Sequence, residues 1–133
     1  MRKAILASVA FATMIGGYPL VIAAPANAVS DADSCVEVGK ISNKFNDDID
    51  ALNGEDPEYR AKLKGVYKGT SASFAAVASK ADDGELKGTI GNAADQMDRV
   101  SSEPDDVFIK TPQDKNSDLM KALTKLDNAC PAR

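Results

Sequence analysis

Two cysteines, Cys35 and Cys130, stand near the two ends of a 133-residue chain that has no other cysteine and no histidine. They allow one intramolecular pairing, and that pairing would bring the ends together around everything between them. Whether it forms depends on the compartment, and the first residues speak to that. Arg2 and Lys3 precede an apolar run from Ala4 to Ala24, and Ala26-Asn27-Ala28 supplies the small-x-small pattern that a signal peptidase reads. Gly16, Gly17 and Pro19 interrupt the run, which suits a cleaved leader better than a membrane-spanning helix. Residues 1–28 are therefore expected to be a cleaved signal peptide and residues 29–133 a single exported domain, in a compartment where cysteines oxidise. A Cys35–Cys130 disulfide closing so long a loop would stabilise the fold by on the order of 4 kcal/mol in the chain-entropy model, a large share for a small domain.

The full chain carries 16 basic and 20 acidic residues, and its formal charge of −4 becomes −6 once Arg2 and Lys3 leave with the leader. A net acidic domain with no basic arm is not expected to bind nucleic acid. Without histidine, and with its cysteines paired, the chain lacks the parts of most hydrolytic triads, most zinc sites and cysteine nucleophiles. Neither an enzyme nor a cofactor carrier is expected.

Hydrophobic spacing sets the architecture. Cys35, Val38, Ile41, Phe45, Ile49 and Leu52 recur at steps of three and four, one stripe of a helix. Asn53-Gly54 stops it. Asp56 as N-cap, Pro57 in the first helical position and Glu58 in the first turn predict a second helix reaching Lys80, with Tyr59, Leu63, Val66, Tyr67, Phe74, Val77 and Ala81 on its apolar side. After Asp82-Asp83-Gly84 a third stripe runs through Leu86, Ile90, Ala93, Met97 and Val100. Glu103 to Lys110 contains Pro104 and the apolar triplet Val107-Phe108-Ile109, and is expected to be a loop whose triplet tucks into the core. Thr111-Pro112 repeats the cap-plus-proline start, and Leu119, Leu123, Leu126 and Cys130 mark a fourth helix. The expected fold is all-α, a four-helix antiparallel bundle closed by one disulfide between the chain ends.

Few side-chain groups suggest chemistry. The acids around Asp47, Asp48, Asp50, Asn53, Glu55 and Asp56 do not follow a calcium-loop pattern and read as cap and turn residues. Tyr59 and Tyr67 could serve as haem ligands, but aromatic rings at helical spacing read first as core. Two rows on helix two remain. Gly65, Gly69 and Ser73 form a small-x-x-x-small row that lets another helix approach, inside the bundle or between subunits. Arg60, Lys64 and Lys68 form a basic strip about 100° around the helix from the Tyr59, Leu63, Tyr67 stripe, a local reversal of sign in an acidic protein. Such a strip is either a solvated face or, in an oligomeric pore, a lining that attracts anions.

A leader, a mature chain near one hundred residues, four amphipathic helices and the terminal pair Cys35 and Cys130 together resemble the α-helical porin B family of the corynebacterial cell wall. The resemblance covers the whole mature chain and is one of layout. It implies a small exported helical protein that oligomerises in the mycolic-acid outer membrane, with itself and that membrane as partners. The channel would be anion-selective and water-filled, with small hydrophilic solutes and small anions as permeants. Arg60, Lys64 and Lys68 are then the candidate anion path, although the family offers no residue-level match for them. A different class competes with it: a soluble secreted binding module of the cell envelope, engaging its partner through one helix face and carrying no current.

Overall fold

The computed structural model describes residues 28–131. The expected leader, 1–28, lies outside these residues except for Ala28. The described chain is all-helical, with α1 (Asp31–Asp50), α2 (Tyr59–Lys80), α3 (Glu85–Ser101), a short α4 (Asp105–Lys110), a 3-10 turn (Thr111–Gln113) and α5 (Asp118–Ala129). One isolated parallel bridge joins Val29 to Ala81. It is built from Val29 N–H donating to the Lys80 carbonyl (2.7 Å) and Asp82 N–H donating to the Val29 carbonyl (2.8 Å).

Local chemistry accounts for most of the helix boundaries. Ser30 caps α1, its hydroxyl oxygen accepting from Asp33 N–H at 3.2 Å, and Asp31 and Asp33 place negative charge at the positive end of the helix dipole. Asn53 and Asp56 turn the chain between α1 and α2, each accepting from the backbone N–H two residues ahead, at 3.0 and 2.8 Å. That use of Asp56 corrects the expected start of helix two. Asp56 and Pro57 stand in the preceding turn and the helix opens at Tyr59. Gly84 precedes α3 with φ at 155°, a backbone conformation that side-chain-bearing residues rarely adopt, so the break expected there is made by glycine.

α3 is the centre of the packing, lying against α2 on one side and α5 on the other, while α1 packs against α2. All five residues of its expected stripe, Leu86, Ile90, Ala93, Met97 and Val100, are buried. Ala93 and Ala94 let α2 come close, and the Ser71 hydroxyl uses that approach to donate to the Ala94 carbonyl at 2.6 Å. The cysteines are joined, Cys35 to Cys130 with Cα atoms 5.3 Å apart, tying the first turns of α1 to the end of α5.

Two further expectations are corrected in the second half. The segment expected as a loop forms α4, whose Phe108 is 1% exposed while Val107 faces outward. Thr111-Pro112 does not open the last helix. Pro112 occupies the 3-10 turn, and the cap is Ser117, whose hydroxyl oxygen accepts from Met120 N–H at 3.2 Å. Between them Asp114 accepts from Asn116 N–H at 2.9 Å and holds a turn that would be lost if the helix began earlier.

Candidate functional site

Tyr67 joins three helices. Its ring meets Phe45 of α1 edge-on at 5.1 Å and Phe108 of α4 edge-on at 5.1 Å, a T-shaped file that passes through the core beside α2. Although the residue is 6% exposed, its hydroxyl makes no hydrogen bond among the described residues. Among the described residues, the polar side-chain atom that is both sealed from solvent and unpartnered is Ser34 Oγ. The Tyr67 phenol instead opens into a cleft of about 840 Å³.

That cleft forms where four segments converge. The end of α1 supplies Ile49, the connection to α2 supplies Asp56, Pro57 and Glu58, and the first turns of α2 supply Tyr59, Arg60 and Leu63. α4 and the 3-10 turn close the far side with Asp105, Ile109 and Pro112. Burial, reinforced by the neighbouring Tyr59 phenol, pushes the Tyr67 hydroxyl above the usual tyrosine range, so it stays protonated and can donate.

The carboxylates of the cleft are unequally engaged. Asp56 is bound by Lys62 at 2.5 Å and by Glu58 N–H, and these bonds, the Lys62 one foremost, hold its carboxyl below the ordinary value. Asp105 is bound by Lys64 at 2.7 Å, which likewise lowers its carboxyl, with Arg60 adding to the effect. Glu58 makes no ion pair among the described residues.

Lys64 does more than pair. Its ammonium also donates to the Glu103 carbonyl at 2.7 Å and stands 5.5 Å from the centre of the Phe108 ring. The charge is thus satisfied by a carboxylate, a carbonyl and a π face, all supplied by the segment around α4, and it fastens that segment to α2. Lys68 reaches Asp98 of α3 at 3.3 Å. Arg60 has no ion pair or hydrogen bond among the described residues. Of the basic strip, therefore, Arg60 lines the cleft near enough to Asp105 to act on its carboxyl without a direct bond, and Lys64 and Lys68 are paired within the molecule.

Gly65, Gly69 and Ser73 lie on the exposed side of α2. A Cβ at either glycine would meet nothing within 4 Å, so no neighbouring helix packs on Gly65 or Gly69 among the described residues. The packing role inside the bundle is therefore not realised, and the row faces outward. Among the described residues no group of His, Cys, Asp or Glu is placed to hold a metal ion, and no helix is long and apolar enough to cross a membrane.

Residues 29–131 match the family described as a domain of unknown function, DUF8711. The chain belongs to that family. No curated protein and no solved structure matches it.

In this DUF8711 domain the sequence pattern singled out Arg60 and placed Tyr59 and Tyr67 on the apolar stripe, but did not bring them together as a site. A signal was present in Tyr67 itself. A tyrosine at a core position carries a hydroxyl that needs a partner, and nothing in its own helix supplies one. The far wall was not legible, because Asp105, Phe108 and Ile109 belong to a segment whose local sequence does not announce a helix.

Proposed function

We propose that this DUF8711 chain is a secreted helical binding module of the cell envelope that holds a small ligand in the Tyr67 cleft. The observation that carries the reading is the unpartnered Tyr67 hydroxyl. The Tyr67 ring is buried in the core while its hydroxyl has no partner among the described residues and keeps access to solvent, and it lines a cleft of a size that accommodates a small molecule. The mixture of apolar walls with a few convergent polar groups supports the same reading. Binding without chemistry is proposed.

As the frame for that site we read α1, α2, α3 and α5 as an antiparallel four-helix bundle. The packing order α1, α2, α3, α5 supports it, as does the disulfide that sets the beginning of α1 beside the end of α5. A bundle tied in this way keeps the cleft's walls in register while leaving its mouth open.

The anion-selective porin implied by the layout is a second reading, favoured by one observation. The outward row Gly65, Gly69 and Ser73 offers a second copy a close approach along α2. In that assembly Arg60, Lys64 and Lys68 would line the anion path, which requires Lys64 and Lys68 to leave Asp105 and Asp98. It also requires apolar surface now buried in the core to turn outward toward lipid.

Planar-bilayer conductance of the oxidised mature domain separates the two. The module reading predicts a silent bilayer from protein shown to be folded, together with a monomer or dimer by sedimentation. Stepwise channels that prefer anions, with preference lost in Lys64→Glu/Lys68→Glu, would overturn it and establish the porin.

A further inference from the structure

We propose that the ligand of the Tyr67 cleft is a monocarboxylate with a compact apolar body, such as an aromatic or alicyclic acid; this rests on the cleft being the ligand site. The assignment follows from which polar groups there are already used. Asp56 and Asp105 are each paired with a lysine, at 2.5 and 2.7 Å, so neither leaves an uncompensated negative charge at the site. The groups left over are chiefly donors: the Tyr67 and Tyr59 phenols and the Arg60 guanidinium, which has no ion pair among the described residues.

A guanidinium lining the same cleft as two phenols offers a recognition set for an oxyanion, because arginine's planar fork matches a carboxylate with two parallel hydrogen bonds. Burial keeps the Tyr67 phenol in its donating form at neutral pH. Glu58 stands on the same rim with no ion pair among the described residues, and it would repel a second negative charge on the ligand. This favours one carboxylate over two, and over a phosphate.

The body of the ligand is defined by the remaining lining. Ile49, Leu63, Ile109, Pro57 and Pro112 offer apolar side chains and no side-chain hydrogen bond. A hydroxyl-rich ligand such as a sugar would lose hydration against them without compensation, and a bare inorganic anion would leave them uncovered. A cleft of about 840 Å³ has room for a ring system with its acid group directed at Arg60 and Tyr67.

The test is calorimetric titration of the oxidised mature domain with naphthoate and, as its uncharged counterpart, naphthalenemethanol. Tyr67→Phe keeps the aromatic file and removes only the hydroxyl, and Arg60→Gln removes only the charge at an exposed position, so both should unfold near the wild-type temperature. The proposal expects naphthoate to bind at least about tenfold more tightly than the alcohol, with each substitution weakening the acid by about tenfold or more, or 1.4 kcal/mol. Equal binding of acid and alcohol, lost in Tyr67→Phe but indifferent to Arg60→Gln, would keep the cleft and overturn the carboxylate. Naphthoate binding that ignores Tyr67→Phe would place the site elsewhere and overturn both claims. No binding of either compound would overturn the carboxylate assignment.

Discussion

Removing the Tyr67 hydroxyl separates its two roles. The ring belongs to the aromatic file and the oxygen to the cleft, so Tyr67→Phe is expected to leave stability within about 1 kcal/mol of the wild type, because no hydrogen bond within the domain is lost. Phe108→Ala lies one ring further along the same file and should behave differently. It empties a position 1% exposed, and a cost of about 3–5 kcal/mol is expected in urea unfolding. The carboxyls make a prediction in pH. Asp56 and Asp105 both lie below the ordinary value of 3.8 when folded, so they bind protons more readily in the unfolded chain. Their contribution is therefore present above about pH 4 and lost as pH falls through the folded values. The unfolding temperature should be flat toward neutral pH and drop in acid, with Asp105→Asn lowering it at pH 7 and flattening the acid drop. At this scale the sequence was a good guide to burial on α3, where spacing alone picked out Leu86, Ile90, Ala93, Met97 and Val100. It was a poor guide to Lys64, since a lysine at a surface spacing gives no sign that a carbonyl, a carboxylate and a ring await it from another segment.

At the scale of elements, α4 is the informative case. Six residues are too few to form a helix alone, because the first turn costs more order than its hydrogen bonds return, and the local sequence accordingly reads as a loop. Its helicity is tertiary: Phe108 is anchored against Tyr67, and Lys64 grips Asp105 and the Glu103 carbonyl at the segment's N-terminal side. Lys64→Gln should therefore speed amide exchange across residues 105–113 while leaving α2 and α3 protected. Unchanged exchange there would show that Phe108 alone holds the segment. The mistaken start for α5 has a related cause. Thr111-Pro112 is a valid opening for a helix and also for a 3-10 turn, and the choice was made five residues later, where Ser117 both receives Met120 N–H and donates to the Thr111 carbonyl at 3.0 Å. Both corrections fall on the wall of the cleft, which is why Tyr59, Arg60 and Tyr67 were individually visible in the sequence and the site itself was not.

For the whole molecule, the disulfide does what its position in the chain suggested. Joining Cys35 to Cys130 restricts nearly all of the described residues, and removing it by a paired Cys→Ala change should lower unfolding stability by about 4 kcal/mol. The outward α2 row of Gly65, Gly69 and Ser73 offers small residues that suit a second copy. Dimerisation abolished by Gly69→Leu would locate an interface there without bearing on the cleft. Chemical-shift mapping of the isotope-labelled oxidised domain, titrated with a panel of small apolar acids and neutral ring compounds, decides whether the Tyr67 cleft is a ligand site. Perturbations confined to residues 56–67 and 105–113 that collapse in Tyr67→Phe are expected. Perturbations spread over the surface with the cleft silent would overturn that assignment.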